Sequence, residues 1–212
     1  YIGEGGHGGG LYNSGNNSQV INCTFSGNFT KEYEDDSGYR SGAAASLPKT
    51  NVGSGGGIFN TGKNLLLKNC TAADNKTGNP GSDEGFYVCG GGIYNDPAGS
   101  VKLQNTLLAN NQVCESSYGP DAYGTFESLG YNLIENTQDC IITGTLTGNI
   151  TGVDPKLDSL KNNGGPTLTH ALLPTSPAID AGYSSDTSTD QRGFPRPVDI
   201  PGIPNASDSS DI

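Results

Sequence analysis

The sequence predicts an all-β chain, a parallel β-helix or solenoid ending in an irregular Pro/Gly-rich cap, and three observations predict it. One phrase, Gly-Gly-Gly-aliphatic-aromatic-Asn, occurs three times, at Gly8–Asn13, Gly55–Asn60 and Gly90–Asn95. A second phrase follows each copy, opened and closed by Asn: Asn22 and Asn28, Asn69 and Asn75, Asn105 and Asn111. The offset between the two phrases is 9, 9 and 10 residues, whereas successive units start 47 and then 35 residues apart, so length varies only between units. A unit this short cannot bury its own apolar face; units must stack, and like residues must form columns along the stack.

Within each unit the aliphatic runs Val20-Ile21, Leu65-Leu66-Leu67 and Val101–Leu103 are bounded by Gly and Asn, and read as short strands. No window carries a 3.6-residue apolar stripe, which argues against helices. Gly and Asn tolerate left-handed backbone and supply the turns, and neighbouring turns of such a chain lie about 4.8 Å apart. Stacking places Asn13, Asn60 and Asn95 in one column, Asn22, Asn69 and Asn105 in a second, and Asn28, Asn75 and Asn111 in a third, where side-chain amides donate and accept along the axis. Such ladders satisfy turn backbone that would otherwise be buried unpaired. Leu11, Ile58 and Ile93 are expected inside, and the adjacent Tyr12, Phe59 and Tyr94 outside, because successive strand residues face opposite ways.

The variable stretches 29–54 and 76–89 are expected to project from one corner. Ser128–Ile134 reads as a degenerate fourth glycine phrase, followed by Ile141-Ile142 and a Thr/Gly alternation to Asn149. The chain thus divides into repeating units over 1–153 and a module over 154–212 without internal counterpart. That module is dense in Pro and Gly, which make defined turns and block strand addition, so it is expected to cap one end.

Composition fits a narrow interior: 33 Gly, 32% hydrophobic residues, no Trp, in 212 residues. No stretch approaches the roughly 18 apolar residues of a membrane span, and no signal peptide is read in these residues. With no Met in the chain, Tyr1 is not a translation start, and a processed chain or part of a longer polypeptide is expected. A net charge of −11 argues against nucleic acid, since phosphate binding needs clustered Lys and Arg. Abundant Asp and Asn oxygens keep calcium as the one candidate ion, although no D-x-[DN]-x-[DN]-G loop occurs; no other cofactor is implied.

Of the five cysteines, Cys114 and Cys140 flank an irregular segment and are the expected disulfide. Cys23 and Cys70 occupy the same place in successive units, near enough to bridge, and both the bridged and the reduced states stay open there. Cys89 is left over, and no spacing resembles a zinc site. Seven glycosylation sequons, at Asn16, Asn22, Asn28, Asn69, Asn75, Asn149 and Asn205, mostly coincide with ladder positions; only Asn16, Asn149 and Asn205 stand where a glycan could be carried.

The runs Asn162–Gly182 (NNGGPTLTHALLPTSPAIDAG) and Thr189–Pro197 (TDQRGFPRP) resemble the C-terminal module called choice-of-anchor Q. The GGGIYN units are similar to the right-handed β-helix repeats that usually precede it in large bacterial surface and secreted proteins. In that family the Asp-Gln-Arg-Gly run is followed, after a spacer, by Asp-Ile-Gly-Ala-Phe/Tyr-Glu, and here the sequence stops at Asp211-Ile212. The resemblance implies a right-handed β-helix, an extracellular or cell-surface bacterial location and no enzymatic activity.

The expected function is therefore a non-enzymatic structural or adhesive surface protein, such as a filament or surface-layer subunit, that associates with itself or with other surface proteins. The alternative is a carbohydrate-active or carbohydrate-binding protein, of lyase or hydrolase type, acting on polysaccharide. Glu32, Glu34, Asp35 and Asp36, with Lys31 and Arg40, are the acidic and basic residues nearest to that chemistry, but they fall in a corner insertion and read as a solvated loop. Asp190 and Arg192 read as part of the capping motif, as a structural ion pair or as groups that bind backbone carbonyls, and His7 and His170 as lone histidines. No catalytic residue is assigned.

Overall fold

A computed structural model describes residues 7–30, 53–78, 88–114, 118–184 and 186–212. The first unit contributes β1 (Leu11–Asn13), β2 (Gln19–Ile21) and β3 (Thr24–Ser26). The second contributes β4 (Ile58–Asn60), β5 (Leu65–Lys68) and β6 (Thr71–Ala73), and the third β7 (Ile93–Asn95), β8 (Val101–Gln104) and β9 (Leu107–Ala109). Then follow β10 (Ala122–Leu129), β11 (Leu133–Ile134), β12 (Cys140–Thr145) and β13 (Ile150–Thr151). Every strand pair is parallel, and like positions pair: Leu11 with Ile58 with Ile93, and Thr24 with Thr71 with Leu107.

The expected right-handed parallel β-helix with an end cap is corrected by two features. The strands assemble into only two sheets, one of eight strands containing β1-β4-β7-β10-β8-β5-β2 with β12 on β10, and one of five in the order β13-β11-β9-β6-β3. The long strand β10 pairs with β7 through Ala122 and Tyr123 and with β8 through Phe126–Ser128, so it joins two limbs that the repeats alone would separate at a corner. The result is a set of all-parallel sheets curled into a half-barrel. All-parallel sheets usually take helices as crossovers; among the described residues there is no helix, and Gly/Asn turns make the connections.

The second feature is the C-terminal module, which runs along the side of the five-stranded sheet as a strap and does not sit over one end. It folds on itself through isolated antiparallel bridges, Leu157 with Leu172, Lys161 with Thr169, Gly182 with Ser210 and Thr189 with Pro195. It reaches every unit. Asn22 Nδ2 donates to Thr189 O (3.0 Å), Asn69 Nδ2 to Thr187 Oγ1 (2.7 Å) and Asn105 Nδ2 to Asp211 O (3.0 Å). These three Asn stand at φ of 53°, 51° and 48°, so the turn that only Gly or Asn makes cheaply also aims an amide at the strap.

The inner core contains the column Leu11, Ile58, Ile93 and Ala122, the column Val20, Leu67 and Leu103, and the column Phe25, Ala72, Leu108 and Ile134. The outer faces of β9, β11 and β13 bury Leu107, Leu133 and Ile150 against Leu157, Leu172, Ala178 and Ile212 of the strap. That second layer explains why β9 and β11 are buried on both faces. The outward aromatics stack as a column, Tyr12 on Phe59 (5.5 Å), Phe59 on Tyr94 (4.7 Å) and Tyr94 on Tyr123 (5.5 Å). Phe59 and Tyr94 are buried, whereas Tyr12, on the edge strand, is 53% exposed.

The triple glycine has a steric origin at each place. The first glycine of each run has positive φ (65°, 71° and 68° at Gly8, Gly55 and Gly90). The second has no room for a side chain: a Cβ on Gly56 would lie 2.4 Å from Gly91 O and 2.6 Å from the Lys76 carbonyl carbon. The third faces the closing Asn, with Asn75 Cγ 3.0 Å from a Cβ on Gly57. Glycine here lets successive units approach to hydrogen-bonding distance, as Gly57 N does to Gly91 O at 3.0 Å.

The fourth glycine phrase is Gly119–Tyr123, not Ser128–Ile134. Gly91 N and Gly92 N donate to Gly119 O and Pro120 O, and Ala122 pairs with Ile93. Only Gly119 of the three glycines survives there, which is why the copy escapes a search for GGG. The stretches 29–54 and 76–89 fall largely on 31–52 and 79–87, outside the described residues, as do the charged residues from Lys31 to Arg40.

Candidate functional site

Amides of the outer columns form directed chains. Asn13 Nδ2 donates to Asn60 Oδ1 (2.7 Å), Asn60 Nδ2 to Asn95 Oδ1 (2.8 Å) and Asn95 Nδ2 to Thr125 O (2.8 Å). In the third column Asn28 Nδ2 donates to Asn75 Oδ1 (2.9 Å), Asn75 Nδ2 to Asn111 Oδ1 (2.9 Å) and Asn111 Nδ2 to Asp121 Oδ1 (2.8 Å). An acceptor-only group ends each chain. Burial pushes the Asp121 carboxyl above its ordinary value, while hydrogen bonds from Asn111 and Asn136 pull it back.

The middle column behaves differently, and its position marks the site. Asn69 Nδ2 donates backwards to Asn22 Oδ1 (3.2 Å), Asn105 Oδ1 accepts from Tyr183 N (2.8 Å), and the side chains turn toward the strap. The next column, Cys23, Cys70 and Thr106, points small donors at carbonyls: Cys70 Sγ to Lys68 O (3.2 Å), Thr106 Oγ1 to Gln104 O (3.0 Å). Thr replaces Cys without loss of that contact, so the position asks for a compact donor. Cys23 and Cys70 stand as free thiols, the reduced one of the two states open to that pair. Cys140 opens β12 and packs on the inner core, whereas Cys114 N donates to Thr77 Oγ1 at the end of the third unit. Burial pushes the thiols of Cys70 and Cys140 up to about 12 and that of Cys89 to about 11.

Between the strap and the outer face of β3, β6 and β9 lies a cleft of about 280 Å³. Its origin is legible in the register. The outward residue is Leu107 on β9 and Leu133 on β11, large enough to meet the strap, but Thr24 and Thr71 on β3 and β6, which leave the space unfilled. Asn22, Asn69, Gln191, His170, Arg192 and Arg196 also line it, with an apolar wall from Leu157, Leu172, Ile179, Ile200 and Ile212. Most of the polar groups have partners. Thr24 Oγ1 donates to Gln191 Oε1 (2.7 Å), and the Arg192 guanidinium holds Asp190 Oδ2 through Nη2 (2.6 Å) and Nε (2.8 Å) and the Asn163 carbonyl through Nη1 (3.3 Å).

Two lining residues keep a buried atom without a protein partner: Asn69 Oδ1 and Arg196 Nε. Arg196 Nη2 donates to the Asp211 carbonyl. Burial lowers the Arg196 guanidinium from its ordinary value and raises the Asp211 carboxyl, and in both cases the opposite charge nearby works against burial.

His170, read from the sequence as a lone histidine, sits at this seam. Its ring contacts Ser26 Oγ through Nε2 (2.8 Å) and the Asp158 carbonyl through Nδ1 (2.7 Å), with Asp74 Oδ2 3.8 Å from Nε2. Because a carbonyl only accepts, Nδ1 carries the proton in the neutral ring and Nε2 accepts from Ser26. Ser26 and His170 are 144 residues apart, so no spacing rule could have paired them. Among the described residues no group of three or more His, Cys, Asp or Glu is placed to hold a metal ion. No protein-family model, no curated protein and no solved structure matches this chain.

Proposed function

We propose that the chain is a non-enzymatic structural or adhesive element of a bacterial cell surface or extracellular assembly, extended edge to edge by another copy or by a neighbouring surface protein. One observation carries this reading: β1, β2 and β3 are all outermost in their sheets, so one end of the described half-barrel presents three parallel edges side by side. An edge strand carries backbone donors and acceptors that template further pairing, and pairing through them adds main-chain hydrogen bonds in register. Contacts of that kind are head-to-tail and propagate when the rotation does not close. The resemblance of Asn162–Gly182 and Thr189–Pro197 to the choice-of-anchor Q module supports the same surface role.

The test is assembly. Light scattering and negative-stain microscopy over a range of protein concentrations are expected to show linear particles with a regular axial repeat. Tyr12→Lys with Ile21→Lys, which charges β1 and β2 at residues 53% and 39% exposed, is expected to dissolve them without unfolding the chain. A wild-type protein that stays monodisperse and binds no component of a bacterial envelope would sink the proposal.

A further inference from the structure

We infer that the cleft between the strap and the five-stranded sheet is a binding site for one neutral sugar residue, held by Asn69 and Arg196. Size is the first argument: about 280 Å³ lies just below the ~300–1,000 Å³ range of small-molecule pockets, which suits a monosaccharide and excludes an oligomer lying wholly within it. Charge is the second. Arg192 is paired with Asp190, and Arg196 stands beside Asp211, so neither sign is in excess and an anion gains little. Complementarity is the third. Asn69 Oδ1 accepts and Arg196 Nε–H donates, and a ligand must offer a donor and an acceptor to satisfy both. Hydroxyl groups do both; a carboxylate would answer Arg196 and leave Asn69 Oδ1 unpaired. The apolar wall of Leu157, Leu172 and Ile200 matches the C–H face that a sugar ring presents beside its hydroxyls.

Nothing in this depends on pairing through the edge strands, so the site stands or falls apart from the assembly reading. The register supplies a variant that should fold. Leu107 already occupies on β9 the place that Thr71 holds on β6, so Thr71→Leu repeats a residue the sheet accommodates and fills the cleft.

Two-dimensional ¹H–¹⁵N spectra would be recorded during titration with D-glucose, D-galactose, D-mannose and N-acetyl-D-glucosamine, with D-galacturonate and inorganic phosphate as anionic probes. The expected result is saturable shifts for at least one neutral sugar, including the Asn69 amide and the Arg196 Nε–H signals. Thr71→Leu should abolish them while thermal stability is kept, and Arg196→Lys, which keeps the charge but removes Nε, should weaken binding by about tenfold or more. Absence of saturable shifts at the cleft with every neutral sugar overturns the inference. So does unchanged binding in either variant, or binding of the anionic probes alone.

Discussion

Removing the Asn75 side chain should cost a large part of the fold's stability, because it is the middle link of a buried amide chain. Asn75 is fully buried. Its Nδ2 donates to Phe25 O and Asn111 Oδ1, both at 2.9 Å, and its Oδ1 accepts from Asn28 N (3.1 Å) and Asn28 Nδ2 (2.9 Å). Asn75→Ala leaves Asn28 N, Asn28 Nδ2 and the Phe25 carbonyl without those partners, whereas Asn111 Oδ1 keeps the Asn75 backbone N–H (3.0 Å). The two backbone groups alone, at about 1–3 kcal/mol each, give a loss of about 2–6 kcal/mol, against a typical total of about 5–15 kcal/mol. Asn75→Asp keeps the shape but sets a second acceptor against Phe25 O and Asn111 Oδ1. It should therefore be worse than alanine at neutral pH and recover in acid, where a protonated carboxyl can donate once. The sign follows from linkage: the new carboxyl's folded-state value is raised, so the variant gains stability as pH falls through it. Urea unfolding at pH 7 and near pH 4.5, relative to wild type at each pH, reads all of this. A loss below about 0.5 kcal/mol for Asn75→Ala, or an Asn75→Asp variant with no recovery in acid, would refute the account of the ladder.

Gly56→Ala should destabilise by about 1–3 kcal/mol or more, since its Cβ would meet the Gly91 oxygen at 2.4 Å, while Gly15→Ala, whose nearest contact is a Ser18 hydroxyl at 3.2 Å, should change the urea midpoint little. At pH 8 a thiol at about 12 is ionised to about one part in 10⁴, so iodoacetamide should label Cys70 and Cys140 in the folded protein at least about a thousandfold more slowly than in urea, as peptide mass spectrometry would show. Asp121 holds its proton more tightly folded than unfolded, so its share of stability is greatest in acid and falls as pH rises from the ordinary carboxylate value, about 4, through the raised one. Asp121→Asn should flatten that slope in urea midpoints between pH 4 and 7, and an unchanged slope would contradict the assignment.

Local rules that each unit applies to itself were legible in the sequence. The phrases place β1, β4 and β7 at Leu11, Ile58 and Ile93, and the structure pairs those residues in register, because stacking identical turns leaves a single offset that keeps apolar side chains on one face. Sequence alone also marked the glycines, whose requirement is steric and local to the next unit's backbone. The fold class it suggested, a right-handed parallel β-helix with an end cap, was not what formed. Whether two strand columns stay apart at a corner or fuse is decided by one strand, β10, in a unit that has lost two of its three glycines and carries Asp121 where a glycine would stand. The strap and cleft lay beyond local reading too. They arise where Thr24 and Thr71 meet residues of the C-terminal module more than 80 positions away, and a cavity is a property of two surfaces that only the folded chain brings together. The same holds for Ser26 and His170.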